Sequence, residues 1–271
     1  MSAMLAAHLL LHPQLTKSLK VLATTVGRDK TYRLIQYLAR LIAWSLLRSG
    51  NGVEAKDAAM RWNGLKSGLA SGRKMLRLLK PLEHLQTAVT AANTPVKSSS
   101  LAPVASNVAQ VSQIARQLCY AGYLSTDMLV WLQSVKFLRI RADNFARINT
   151  LSQRFWLSGI ILSLLSSSAS MIRLRAEGRR LALGRTAEKG GPEDREVMRA
   201  QGRALLRERT TLVSQLTLDC LDFWIPATNL GYASFNDGVI GAIGVVTSYI
   251  ALQQQWIKVN GLPAAVAGKS K

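Results

Sequence analysis

His8 and His12 stand one helical turn apart, the geometry of a two-ligand metal half-site, but no third ligand lies near them. A protein metal site needs more donors than that. Two polar side chains on a terminal helix are the simpler reading, and no metal is expected. Asp219 and Asp222 fall on one helix face and have the types of an acid/base pair. No histidine partners them and no pocket signature surrounds them, so they read as polar caps or as partners for nearby arginines. Gly238-x-x-Gly241-x-x-Gly244 is not spaced as a dinucleotide fingerprint and lacks the strand that should precede one. No phosphate-cradling Walker loop and no Gly-x-Ser-x-Gly elbow occurs. No catalytic residue and no cofactor is expected, and the chain does not read as an enzyme.

The chemistry that stands out is charge. The 271 residues carry 35 Lys and Arg against 15 Asp and Glu, a net charge of +20. A field of that sign calls for an anionic partner, nucleic acid or lipid headgroups. Hydrophobic residues make up 48% of the chain, and the mean hydropathy is +0.11, which favours the membrane. The basic residues are spread along the whole chain and no nucleic-acid module accompanies them, so no nucleic-acid partner is expected. Cys119 and Cys220 are too few and too distant for a disulfide framework, which points to a reducing compartment. Met1 to Leu11 is apolar without the basic leader of a secretory signal. The ending Gly268-Lys269-Ser270-Lys271 is not the Ser-Lys-Leu peroxisomal address.

The elements that must position this charge are helices. Aromatics are only 6% of the chain, against the needs of a β-rich core, while Leu, Ala, Arg and Lys are strong helix formers. Pro13 to Leu22 predicts a short helix. From Asp29, Leu34, Ile35, Leu38, Leu41, Ile42 and Leu46 recur at three- and four-residue spacing, and Gly50-Asn51-Gly52 supplies a stop.

A second helical stretch is predicted from about Glu54 to His84. Ala58, Trp62, Leu65, Leu69, Leu76 and Leu79 form its stripe, with Gly72 in the remaining stripe position. Lys66, Arg73 and Lys80 lie directly beside the stripe, Arg61 and Arg77 flank it, and Lys74 adds to the same basic run. Long basic side chains can lay their stems on apolar surface and lift their heads among lipid headgroups. The plainer reading is a helix facing a core; the flanking basic residues favour the membrane. Gly64, Gly68 and Gly72 each cost roughly 1 kcal/mol against Ala. Either this stretch folds only when its stripe is buried, or the glycines mark a close helix contact.

Ala91 to Asn107 reads as a flexible linker, small, polar and punctuated by Pro95 and Pro103. Helical spacing resumes from Val108 to Leu138, with an interruption expected near Gly122 to Thr126 and a new cap at Ser125 or Thr126. Phe155 to Ile172 is uncharged and would extend about 27 Å, slightly under a hydrocarbon core of ~30 Å. Its Gly159, Ser163 and Ser167 share one face suited to helix packing. Arg173 to Arg209 is charged and expected as a loop around Lys189-Gly190-Gly191-Pro192. A helix follows from about Thr210 to Trp224. Gly238 to Ile257 is again uncharged, with Gly238, Gly241, Gly244 and Ser248 as a packing face, and is the better of the two spanning candidates.

Four pieces in order resemble the peroxin-eleven family of peroxisomal membrane proliferation proteins, fungal type. Gly27-Arg28-Asp29-Lys30 with Tyr32 to Arg40 looks like the opening motif. Arg73-Lys74-Met75-Leu76-Arg77-Leu78 with Lys80-Pro81-Leu82-Glu83 looks like the second. Asp127 with Trp131 matches the middle helix, and Asp219 to Pro226 with Gly238, Gly241, Gly244 and Ser248 matches the C-terminal pattern. The resemblance implies location in the peroxisomal membrane and a role in membrane elongation before division. It also implies self-association and recruitment of dynamin-related fission machinery. An N-terminal amphipathic helix of the family inserts into one leaflet and bends it. That role carries over to Trp62, Leu65, Leu69, Leu76 and Leu79 as the wedge, with Arg61, Lys66, Arg73, Lys74, Arg77 and Lys80 as contacts to anionic phospholipid.

The expected fold is all-α, a membrane-associated protein with amphipathic helices and one or two hydrophobic hairpin or spanning helices. Its expected divisions are an amphipathic region 1–90, a linker 91–107, central helices 108–172, a charged loop 173–209 and C-terminal helices 210–271. The expected function is peroxisomal membrane remodelling as a homo-oligomer. The rival expectations are a pore for small metabolites and a scaffold for the fission machinery.

Overall fold

The computed structural model describes residues 10–50, 52–96, 102–187 and 192–261, and among these every regular element is an α-helix. The first helix, α1 (Pro13–Ala23), starts with Pro where a missing N–H costs nothing, and His12 caps it by accepting from the Gln14 N–H. His8 lies outside the described residues. Thr24 ends α1 in an extended conformation and at once caps α2 (Thr25–Ser49), its hydroxyl accepting from the Gly27 N–H at 2.9 Å. The corner is tight enough to require glycine. A Cβ on Gly27 would stand 2.0 Å from the Val21 carbonyl oxygen.

The chain divides into two compact units. The first joins residues 1–77 to 234–271. In it α2 lies between α3 (Val53–Leu76) and α9 (Asp237–Asn260). Contacts run antiparallel along α2 and α9, from Trp44 against Gly238 to Leu41 against Gly241 and Tyr37 against Gly244. The glycines let the backbones approach, as small residues at a helix interface do. Arg33 then ties the far end, its Nη2 donating to Thr247 Oγ1 at 3.2 Å, and Arg40 meets Asp237 at 2.6 Å.

The second unit spans residues 78–233. It contains α4 (Lys80–Asn93), α5 (Pro103–Ser134), α6 (Ala142–Ala187), α7 (Pro192–Asp222) and the single-turn α8 (Trp224–Asn229). Helices α5 and α6 form an antiparallel pair. The Phe155 ring lies over Gly122, the Tyr120 ring over Gly159, and Tyr123 stacks on Trp156 with ring centroids 5.5 Å apart. Helix α7 runs back along α6, where the Ser163 hydroxyl donates to buried Asp219 and Arg173 binds Glu208. On the other side His84 of α4 hydrogen-bonds Gln117 of α5 at 2.6 Å.

Four expectations change. The stretch from Glu54 to His84 is two helices, broken at Arg77 to Leu79, with Leu79 at φ 64°. Pro81 explains the break, because its ring would clash with the Arg77 carbonyl of a continuing helix. Helix α5 passes Gly122 to Thr126 without interruption, and the Thr126 hydroxyl bonds back to the Gly122 carbonyl instead of starting a new cap. The charged segment 173–209 is mostly helix, contributed by α6 and α7, while Lys189, Gly190 and Gly191 lie outside the described residues. The linker narrows to the interval between Asn93 and Pro103, within which 97–101 are outside the described residues.

Among the described residues one helix is long and apolar enough to cross a membrane, α6 over Ala142–Leu183. The expectation had favoured Gly238 to Ile257. That stretch is α9, whose glycine face is taken up by α2. Its polar Gln253, Gln254 and Gln255 shorten the apolar run.

Candidate membrane-contact site

Helix α3 packs along α2 but buries little of itself there. Ala59 is its one buried residue, packed almost without solvent exposure, and the predicted wedge residues Trp62, Leu69 and Leu76 are only half-buried. Leu65 is 43% exposed, and Met60 and Met75 add open apolar surface at 68% and 56%. A Cβ built on Gly64, Gly68 or Gly72 would meet nothing within 4 Å. Among the described residues these glycines serve no close helix contact, unlike those of α9.

The basic residues predicted beside the stripe divide into three groups. Arg61 reaches solvent and pairs with Asp57 one turn earlier at 2.7 Å, while Lys66 and Lys74 are half-exposed on α3. Arg73 and Arg77 are turned inward, onto Asp29 of α2. Arg73 Nε lies 3.0 Å from Asp29 Oδ1, Arg77 Nε lies 3.9 Å from the same oxygen, and Arg73 Nη1 also donates to Gln36 at 2.8 Å. Leu79 and Lys80 fall beyond the break, in the second unit, where Leu79 is exposed and Lys80 opens α4.

Asp29 was not anticipated as part of this site, and it organises one end of it. Its residue is 8% exposed. Burial works against its charge, yet Arg73, Lys30 and Arg77 together outweigh that and hold its carboxyl below the ordinary carboxylate range. One signal was visible in the sequence: Asp29 is the single acid within a run whose charges are otherwise Arg28, Lys30, Arg33 and Arg40.

The small-residue faces are used inside the chain. Ser163 is fully buried and bonded to Asp219, Ser167 is buried, and Gly159 lies under Tyr120. Ser248 is fully buried and bonds back to the Gly244 carbonyl. Of the two aspartates singled out in the sequence, Asp219 is held by Ser163 and Gln215 in the interior of the second unit.

Half-open apolar side chains on α3 and one long apolar helix leave the family open, and comparison with known proteins decides it. The sequence model of the family described as peroxisomal biogenesis factor 11 (PEX11) matches residues 15–256. The chain belongs to the peroxisomal biogenesis factor 11 family. It is 28% identical to the peroxisomal membrane protein PMP27 of Saccharomyces cerevisiae, over 92% of this chain and 97% of that one. It is 23% identical to peroxisomal biogenesis factor 11 of Schizosaccharomyces pombe, over 91% and 96% respectively. Its identity to peroxisomal membrane protein 11B of Homo sapiens is 26%, over 85% and 92%. No solved structure matches the chain. As a member of this family it is a protein of the peroxisomal membrane with a role in peroxisome proliferation and division.

Proposed function

We propose that the chain elongates and bends the peroxisomal membrane ahead of division by laying α3 into one leaflet. The observation that supports this is the half-open stripe of α3, with Trp62, Leu65 and Leu69 beside Arg61, Lys66 and Lys74. A helix of this kind gains by burying its apolar face at the headgroup boundary while its cations meet anionic phospholipid. Shallow insertion expands one leaflet and favours curvature. Arg73 and Arg77 join the headgroup contacts when α3 leaves Asp29, and Leu76 then completes the wedge. Leu79 and Lys80 enter the same surface only if the break at Pro81 straightens, which proline opposes.

Self-association and recruitment of dynamin-related fission machinery belong to the same proposal, through the family resemblance. Self-association needs surfaces other than the faces of Gly159, Ser163, Gly241 and Gly244, which are filled within the chain.

The test is tubulation of vesicles containing anionic phospholipid by the full chain. Trp62→Gln with Leu69→Gln should abolish tubulation while leaving helix content unchanged. Tubules as abundant as those of the unaltered protein would end the insertion reading.

A second reading, a pore for small metabolites, has one observation in its favour. A recess of about 580 Å3 beside α6 is lined by Arg116, Ser166, Ser167, Ser170, Arg173 and Gln215. Reconstituted full-length protein should then carry solute flux that Ser167→Leu blocks. No flux from the unaltered protein would remove this reading and leave the first intact.

A further inference from the structure

The far part of the second unit is an arm in which α6 continues past its uncharged run and α7 returns beside it. Their register is antiparallel: Arg173 faces Glu208, and a Cβ on Gly202 would stand 3.7 Å from Leu181. Exposed Arg175 and Arg179 lie four residues apart on α6, and exposed Arg199, Arg203 and Arg207 lie four apart on α7. Residues at that spacing share a face, and like charges there repel. Two carboxylates of the arm do not relieve the ladders, because Glu177 and Glu208 are both turned onto buried Arg173. Glu196 lies one turn before Arg199 and eases that end of its row, but Arg203 and Arg207 on α7 and Arg175 and Arg179 on α6 remain rows of exposed like charge that something outside the chain can neutralise.

The position of the rows says what that is. The uncharged run of α6 ends at Ile172, so Arg175 and Arg179 follow roughly 4 to 11 Å further along a helix rising 1.5 Å per residue. The register brings Arg199 to Arg207 alongside the same band. Basic residues just beyond an apolar segment stand at the depth of headgroup phosphates, and a guanidinium binds a phosphate through two parallel N–H donors. Leu206, on the arginine face of α7, is 61% exposed, and Leu183 of α6 is 70% exposed. Exposed leucines between arginines suit a boundary of headgroups and acyl chains better than a purely polar polyanion.

We propose that the α6–α7 arm is a second lipid-contact site, with Arg175, Arg179, Arg199, Arg203 and Arg207 binding the phosphates of anionic phospholipid at the Arg173 end of the apolar run. The site uses different residues from α3 and lies in the other unit, so it stands or falls by itself. It anchors the arm against the leaflet and draws anionic lipid to the base of α6.

The test reconstitutes the full chain in vesicles of phosphatidylcholine alone, and of phosphatidylcholine with about one part in four of phosphatidylserine. Arginines are labelled with a dicarbonyl reagent and read one by one by peptide mass spectrometry. Labelling of Arg199, Arg203 and Arg207 should fall about five-fold or more when phosphatidylserine is present, and recover at high salt as screening predicts. Buried, paired Arg173 is the control and should not change. The triple variant Arg199→Gln, Arg203→Gln, Arg207→Gln should keep its helix content and lose the enrichment of phosphatidylserine around the protein. Equal labelling in both vesicles overturns the proposal. So does protection that appears only with added polyglutamate, which would assign the arm to an acidic protein. Arg61 is read in the same spectra, so failure of α3 to contact lipid is seen separately from failure of the arm.

Discussion

Asp29 and Arg73 meet at 3.0 Å between α2 and α3, each with a side chain about nine-tenths removed from solvent. Arg77 and Lys30 stand within 4.0 Å of the same carboxylate. One anion thus holds three cations, two of which belong to the basic flank of the helix proposed to enter the membrane. The pair fastens the C-terminal end of α3, whose remaining hold on its unit rests on Ala59 and half-buried side chains. A lipid phosphate offers Arg73 and Arg77 the same charge that Asp29 does.

Replacing Asp29 by Asn therefore leaves two inward-facing guanidinium groups without their carboxylate. Removing one partner of a buried pair costs about 3 kcal/mol. The α3 amides should lose deuterium-exchange protection by roughly a hundredfold, since local opening follows the same free energy, while α5 and α6 stay unchanged. Asp29→Asn with Arg73→Gln should lose less than the sum of the single changes. If α3 acts as proposed, Asp29→Asn also binds anionic vesicles more tightly than the unaltered protein, because insertion no longer has to break the pair. Weaker binding by a correctly folded variant would separate the pair from the membrane function.

The same pair sets a pH dependence. The Asp29 carboxyl is held below its ordinary value, so its contribution is fully present above the unfolded value of about 3.9. It is lost as pH falls through the lower folded value. Protection of α3 should be flat from neutral pH down to about 5 and decline below about 4. In Asp29→Asn the decline in that lower window should vanish. A decline near neutrality in both proteins would point to another group.

The sequence made α1 and α2 legible because their apolar spacing and their punctuation agree. Pro13 opens one helix and Gly50 ends the next as expected, while the second helix starts at Thr25, four residues before the apolar spacing from Asp29 announced it. The break at Arg77 to Leu79 was not legible, because Leu76 and Leu79 keep the phase of the stripe through it, right up to Pro81. Hydrophobic phase outvoted the stronger local signal, a proline that cannot continue a helix. The Asp29–Arg73 pair was hidden for a different reason. A charge run looks the same whether solvated or turned inward, and the partners are 44 residues apart. Segment 173–209 was misread as a loop because it lacks a clean apolar stripe. Its Arg, Ala, Leu and Glu content, all strong helix formers, was the better guide.

Lys136 provides a test confined to the second unit. It follows α5 at φ 62°, with its N–H bonded to the Gln133 carbonyl and that of Phe137 bonded to the Leu132 carbonyl. This is the Schellman end of a helix, where glycine avoids the cost of a Cβ in the left-handed region. Lys136→Gly and Lys136→Ala remove the same charge, and at a positive φ the cost of the Cβ outweighs the extra unfolded-state freedom of Gly. The Gly variant should be the more stable by about 1 kcal/mol in denaturant unfolding of the detergent-solubilised protein. Equal stability would mean the corner relaxes.

The two glycine sets of the first unit predict opposite responses to one added methyl group. On Gly244 it would stand 2.1 Å from the Tyr37 ring, and on Gly241 it would stand 3.0 Å from the Leu41 backbone nitrogen. Helices α2 and α9 would have to part, at a cost of about 1–3 kcal/mol for overpacking. The Arg33–Thr247 contact one turn further on would lengthen with them. On Gly64, Gly68 or Gly72 the methyl meets nothing within 4 Å. Each Gly→Ala there should strengthen α3 by about 1 kcal/mol through helix propensity alone. Deuterium exchange reads both, with faster exchange in α2 and α9 for Gly244→Ala and slower exchange in α3 for Gly68→Ala. The comparison also bears on mechanism. If the open glycines serve only the lipid-facing helix, Gly68→Ala keeps vesicle tubulation. If they are a docking face for a second copy, the added methyl groups reduce self-association while lipid binding is preserved.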